Sequence, residues 1–129
     1  MHLAPDLRAQ IVAHAVRDAP AECCGVIAVA DGAGVAVHEL ENLAHSPLRF
    51  EVDGLALHHL LTEIEDAGLA LGAIYHSHTR SAPYPSQTDI NFAAGWPGVE
   101  WVIVGTAAEE PEMRSYLIDG ADVTEVPLT

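Results

Sequence analysis

The sequence contains no lysine, and its five arginines are outnumbered by nineteen acidic residues. The formal net charge is therefore -14 at pH 7. A surface of this sign repels the phosphates of nucleic acids and the headgroups of anionic lipids, so we expect neither nucleic acid nor a membrane as a partner. A metal cation, or a protein with a basic face, remains compatible with the charge.

Long apolar runs are also missing, since none reaches the roughly 18 residues that a membrane-spanning helix needs. The first residues include His2, Asp6 and Arg8 and lack the apolar core of an export signal, so we expect a cytoplasmic protein. Half of the 129 residues are hydrophobic, which is enough for a substantial core. We expect residues 1–129 to form one domain, either as a monomer or as a small homo-oligomer.

Cysteine is scarce, and the two cysteines, Cys23 and Cys24, are adjacent in an apolar stretch. Neither belongs to a CxxC pair, which excludes zinc-ribbon and thioredoxin-like sites. A disulfide between neighbours would be strained, whereas free cysteine commonly packs as a small buried hydrophobic residue. We therefore interpret both as packing residues.

Hydrophobic periodicity and turn residues predict about three helices and six strands. The predicted helices run from Pro5 to Pro20, from Asp53 to Gly68 and from Ser86 to about Ala94, and the predicted strands cover residues 23–30, 35–40, 69–78, 100–105, 113–118 and 123–126. A further short strand is possible at Arg49–Val52. The fold class that follows is α/β, a single domain with a mixed central β-sheet flanked by the helices.

His76 and His78 stand at the end of one predicted strand, and Asp89 follows at the start of a predicted helix. Residues two apart on a strand point to the same face, so both imidazoles can reach one point. With Asp89 they make three ligands for one zinc ion and leave the fourth tetrahedral position for water, which is typical of catalytic zinc. Imidazole with carboxylate suits zinc well among the divalent metals.

A less specific interpretation applies to each part of this pattern. In a chain with eight histidines, a His-x-His pair alone is weak evidence for a metal. Ser86 and Asp89 also match a capping box, with aspartate in place of the usual glutamate or glutamine. The two interpretations are compatible, because a helix start fixes the backbone while Asp89, one turn in, still turns towards the histidines.

A zinc-bound water is a better nucleophile if a carboxylate can take its proton and pass it to the leaving amine. Glu22 is the best candidate, because it precedes an apolar strand where its neighbours are expected to be core. The other acids have simpler explanations: Glu63 and Glu65 lie on a solvated helix face, and residues 109–112 form a charge cluster typical of a turn.

These residues together resemble the JAMM (JAB1/MPN/Mov34) metallopeptidase family, in its early Pro-x-Glu-x-Cys-Gly segment and its later HxHx7SxxD motif. The resemblance implies the JAB1/MPN, cytidine-deaminase-like architecture. It also implies Zn2+, one ion per chain, on His76, His78 and Asp89, Glu22 as the general base and acid, and Ser86 as a donor to the oxyanion. Many members have proline directly after the second histidine, where this chain has Thr79, and this difference bears only on the shape of the loop.

Within the family, the YHSHT and YPSQTDI segments are most similar to bacterial peptidases of the CysO-cysteine type. This similarity implies cleavage after the C-terminal glycine of a small ubiquitin-like sulfur-carrier protein with a Gly-Gly tail, which releases cysteine. Two alternatives stay open: a deubiquitinase-like peptidase or isopeptidase that acts on other ubiquitin-like conjugates, and a non-catalytic zinc-bound scaffold. The HxE and PCxxC motifs of the related zinc deaminases are absent.

Overall fold

The computed structural model describes residues 1–129. Its three helices are α1 (Pro5–Asp18), α2 (Gly54–Asp66) and α3 (Gln87–Ala93), and its six strands are β1 (Cys24–Ala30), β2 (Ala33–Leu40), β3 (Ala70–His78), β4 (Glu100–Gly105), β5 (Glu112–Asp119) and β6 (Asp122–Val126). The strands form one sheet in the order β2-β1-β3-β4-β5-β6. The predicted α/β class with a mixed sheet and three helices is confirmed.

Only β3 and β4 pair in parallel, and the other neighbours are antiparallel. A parallel pair needs a crossover connection between its strands. Here the crossover carries α3 and the loop that precedes it. The histidines at the end of β3 and the residues at the start of α3 therefore lie on one continuous segment beside the middle of the sheet.

The sheet separates two apolar clusters, because successive side chains of a strand point to opposite faces. On one face α1 covers a cluster that includes Tyr75 and Val104. On the other face Ile74 and Trp101 belong to a second cluster, against which residues of α2 and α3 pack. His76 points to this second face, since it alternates with Tyr75 along β3. The face that carries α2 and α3 is therefore the face that carries the histidines.

The prediction of a short strand at Arg49–Val52 is wrong, because these residues form an irregular loop. The reason is the buried side chain of Asn42. Its Nδ2 donates to the carbonyl oxygen of Arg49 (3.1 Å), and its Oδ1 accepts from the N–H of Glu51 (3.0 Å). Backbone groups that a strand would use in a ladder are satisfied by this one amide side chain instead.

The remaining predicted elements agree with the structure to within a few residues at their ends. Both cysteines are free and buried, as predicted. All three helices fall short of a bilayer span, since the longest has 14 residues.

Candidate metal centre

The site lies where β3 ends and α3 begins. His76 and His78 are the last residues of β3 on the face that carries α2 and α3, and both are buried. Ser86 is the N-cap of α3, which places Asp89 in the first turn of the helix. A strand end and a helix start thus bring the three predicted ligands together.

The three potential ligand atoms form a nearly equilateral triangle. The Nε2 atoms of His76 and His78 are 3.2 Å apart, and Oδ2 of Asp89 lies 3.1 Å from the first and 3.2 Å from the second. Zinc–ligand bonds of about 2.0–2.1 Å in a tetrahedron would separate two ligand atoms by about 3.3 Å. The observed spacing therefore fits a small tetrahedral metal ion held on one side by three protein atoms.

The orientation of the His78 ring is fixed by its second nitrogen. Nδ1 lies 2.9 Å from the carbonyl oxygen of Ala82, which can only accept a hydrogen bond. Nδ1 therefore donates to this carbonyl, and Nε2, which faces Asp89 and the other imidazole, is the nitrogen available to a metal ion. A backbone carbonyl behind a ligating histidine commonly orients the ring in this way.

Apart from the contacts of its Nε2 with the other two ligand atoms, the ring of His76 is held by packing. It is fully buried, and the ring centroid of Phe50 lies 4.8 Å away while that of Trp101 lies 6.0 Å away. Its Nδ1 has no hydrogen-bond partner. The two aromatic rings leave this imidazole little freedom, so its Nε2 stays directed at the other two ligand atoms.

Asp89 is held by Ser86 through both its side chain and its backbone. Its Oδ2 accepts from the N–H of Ser86 (2.9 Å), and its own N–H donates to the hydroxyl oxygen of Ser86 (3.1 Å), which completes the predicted capping box. Burial favours the neutral acid, but hydrogen bonds from His76 and His78 outweigh it and hold the pKa of Asp89 well below its ordinary value. Asp89 is therefore an anion at neutral pH, as a metal ligand must be.

Glu22 lies directly before β1 and beside the end of β3. Ser77 donates its N–H to the carbonyl oxygen of Cys23 (3.1 Å), so the antiparallel register of the two strands continues beyond the start of β1. This register places Glu22 next to His78. The residue is only 5% exposed, and its carboxylate has no hydrogen-bond or ion-pair partner within the chain.

The surroundings of Glu22 make it a weaker acid than usual. Burial raises the pKa of Glu22 to about 7, the negative charge of Asp89 adds to the rise, and His78 opposes it. A carboxyl group with a pKa near the working pH can both take up and give back a proton. Glu22 is therefore poised for proton transfer beside the three potential ligands.

The comparisons with known proteins agree with this geometry. The Prok-JAB family, described as prokaryotic homologs of the JAB domain, matches residues 4–119. The chain belongs to the JAB (JAMM) family of metallopeptidases. It is therefore a hydrolase of the class that the HxHx7SxxD motif indicates.

Three curated members of the JAMM family are similar to this chain over most of their length. The CysO-cysteine peptidase of Mycobacterium tuberculosis is 39% identical over 127 residues, which cover 95% of this chain and 86% of that protein. The desampylase of Haloferax volcanii is 39% identical over 80% of this chain and 78% of its own. A probable TtuB-protein conjugate cleaving protease of Thermus thermophilus is 38% identical over 90% of this chain and 75% of its own.

Solved structures confirm the JAB1/MPN fold. The solution structure of a protein from Desulfitobacterium hafniense superposes with a TM-score of 0.85 at 27% identity, covering 99% of this chain and 90% of that one. The crystal structure of a JAB1/MPN domain protein from Archaeoglobus fulgidus gives a TM-score of 0.68 at 19% identity, covering 99% and 96% of the two chains.

Two residues of this JAMM site were not foreseen from the sequence. Phe50 packs on the ring of His76, and Asn42 donates to the carbonyl oxygen of Glu22 at 2.9 Å as well as organising the loop before α2. Both lie between β2 and α2, where a short strand was considered only for Arg49–Val52. An aromatic residue between polar neighbours at position 50 was the one available signal, and it is also what an edge strand would show.

Proposed function

We propose that the chain is a zinc-dependent peptidase that cleaves the bond after the C-terminal glycine of a small ubiquitin-like sulfur-carrier protein and releases cysteine. The observation that carries the proposal is Glu22, a buried carboxylate without a partner, beside three converging ligand atoms. The names of the three relatives support the substrate class, because each refers to a ubiquitin-like carrier or its conjugates. The working form is expected to be a single cytoplasmic domain.

In this proposal His76, His78 and Asp89 hold the zinc ion. Zinc, when bound there, supplies Lewis acidity, which makes water more acidic and polarises a carbonyl group. Glu22 accepts the proton of the attacking water and then donates it to the nitrogen of the breaking bond. In the metal-free protein the pKa of Glu22 is about 7, so a group at this position can hold a proton or release it near neutral pH.

Ser86 is proposed to stabilise the carbonyl oxygen as charge develops on it. Its hydroxyl oxygen already accepts a hydrogen bond from the N–H of Asp89, so the hydroxyl hydrogen is free to donate. In this proposal the hydroxyl donates a hydrogen bond to the oxygen of the attacked carbonyl. This hydrogen bond becomes stronger as negative charge grows on that oxygen.

A tail ending in glycines fits the confined approach to this site. The three ligand side chains are at most 6% exposed, and the ring of Phe50 packs on His76 with centroids 4.8 Å apart and contacts Phe92 with centroids 5.8 Å apart. A scissile carbonyl reaches the ligand atoms only if its backbone enters this recess. Glycine has no side chain to exclude it, whereas a bulky residue before the bond would meet the aromatic rings.

A second candidate substrate is a ubiquitin-like protein joined to the lysine of another protein. The desampylase and the TtuB-conjugate protease among the relatives favour this alternative. It uses the same zinc site, the same base and the same glycine tail, and it differs only in the group that leaves.

The test compares the two kinds of adduct with one carrier. Purified, zinc-loaded protein is given CysO extended by one C-terminal cysteine, and separately CysO joined through its tail to a lysine side chain. We expect faster cleavage of the cysteine adduct and no cleavage of either by Glu22→Ala at equal zinc content. Cleavage of the lysine conjugate alone would favour the second candidate, and wild-type rates in Glu22→Ala would remove Glu22 as the base.

A further inference from the structure

Arg80 is the one arginine of this chain without a partner of its own. Two others form ion pairs on the surface, Arg17 with Glu39 and Arg114 with Glu125. The remaining two are also engaged: Arg8 donates to two carbonyl oxygens, and Arg49 lies 3.5 Å from a carboxylate oxygen of Glu51. Arg80 makes no hydrogen bond or ion pair and is exposed. In a chain with a net charge of -14, Arg80 therefore carries a positive charge that no carboxylate of the chain pairs with, two residues after a potential metal ligand.

The position of Arg80 relates it to one side of the scissile bond. It lies two residues after His78, a span of at most about 7 Å along the chain. The preceding residue, Thr79, donates its hydroxyl hydrogen to the carbonyl oxygen of Pro20 at 2.9 Å. The loop between the ligands therefore starts against the segment that carries Glu22 and ends at Ser86. Arg80 belongs to the Glu22 end of this loop.

The direction of the substrate follows from the proposed roles of these two ends. Ser86 acts on the carbonyl oxygen, and Glu22 protonates the nitrogen of the leaving group. The leaving group would therefore depart over the Glu22 end of the loop, to which Arg80 belongs in the chain, while the carrier tail would lie towards Ser86 and α3.

A leaving cysteine differs from a leaving lysine side chain by a free α-carboxylate close to the departing nitrogen. The cleft that Glu22 itself lines, about 270 Å³ in volume, also carries the carboxylates of Asp18 and Glu41 and no arginine, so it offers a leaving anion no permanent positive charge. An arginine offers a carboxylate two parallel donors in a rigid fork. We propose that Arg80 binds the α-carboxylate of the leaving amino acid and so selects carrier–amino acid adducts over lysine-linked conjugates. This inference rests on the proposed carrier-cleaving function.

The test uses two substrates that differ only in this carboxylate: CysO–cysteine and CysO–cysteinamide. We expect the zinc-loaded wild-type enzyme to prefer the acid about tenfold in kcat/KM, which is the size of one charge-assisted hydrogen bond. Arg80→Ala should lose this preference through slower cleavage of the acid, with the amide cleaved at the wild-type rate. Arg80→Lys, which keeps the charge and loses the fork, should retain part of the preference.

The matched control is Arg114→Ala, which removes one exposed cation from β5, two strands away from the histidines. It should keep the wild-type ratio of acid to amide, because only the overall charge has changed. An unchanged ratio in Arg80→Ala, or an equal loss on both substrates, would overturn the inference while leaving the carrier-cleaving function in place. A wild-type enzyme that cleaves neither substrate would overturn both.

Discussion

Ser86 and Asp89 bind each other twice: Oδ2 of Asp89 accepts from the N–H of Ser86 at 2.9 Å, and the hydroxyl oxygen of Ser86 accepts from the N–H of Asp89 at 3.1 Å. This capping box starts α3 and at the same time fixes the carboxylate that faces the two histidines. The helix start and the site are therefore one structure. Because the hydroxyl of Ser86 acts only as an acceptor in it, its hydrogen stays available for a substrate.

The two roles of Ser86 can be separated by two substitutions. Ser86→Gly keeps a good helix N-cap, so the free energy of unfolding should fall by only a few tenths of a kcal/mol, whereas Ser86→Ala should cost about 1 kcal/mol. Both variants lack the hydroxyl and should lose about 10²- to 10³-fold in kcat if it serves the oxyanion. Denaturant unfolding and steady-state kinetics measure the two effects. A wild-type kcat in Ser86→Gly would show that Ser86 caps the helix and does not serve the oxyanion.

Removing any one of the three potential ligands should release the metal ion. Because each ligand atom is one corner of a triangle with sides of 3.1–3.2 Å, removing one leaves a two-coordinate site. We expect His78→Ala and Asp89→Ala to lose zinc on dialysis, measured by elemental analysis. His58→Ala, which removes an exposed histidine from α2, should retain it. Full zinc content in either ligand variant would contradict the assignment.

The sequence predicted the local parts of this site better than the distant ones. His76, His78 and Asp89 follow from the two-residue period of a strand and from the capping pattern of a helix, both of which operate over a few residues. The loop before α2 depends on Asn42, which joins the carbonyl oxygens of Glu22 and Arg49. Such contacts between distant segments leave no periodic pattern in the sequence. The residues around position 50 therefore resembled a strand.

Asn42 should consequently matter for stability more than its place in a loop suggests. Its buried amide bonds four backbone groups, and Asn42→Ala leaves several of them unsatisfied, so we expect a loss of about 2–3 kcal/mol in the free energy of unfolding. The loop that carries Phe50 should loosen, which would show as faster amide exchange in residues 42–51. Leu48→Ala, in the same loop but largely exposed, is the control and should change stability little. Equal stability of Asn42→Ala and the wild type would show that the loop is held by other contacts.

Glu22 should reduce stability at the pH at which it works. Its pKa is raised from 4.5 to about 7 in the folded protein, first of all by burial, so the folded state holds a proton that the unfolded state has released between these values. An acid whose folded pKa is raised costs nothing below about pH 4.5, and its cost grows as the pH rises and is complete above pH 7. Glu22→Gln in metal-free protein should therefore unfold at higher denaturant concentration than the wild type at pH 8, and the difference should shrink towards pH 5. Bound zinc should reduce the gain in stability at pH 8, because a dication favours the ionised carboxylate.

Glu63→Gln, on the exposed side of α2, should show no such pH dependence. A Glu22→Gln variant as stable as the wild type at both pH values would mean that the carboxylate is ionised in the folded protein at no cost. That result would contradict the raised pKa of Glu22.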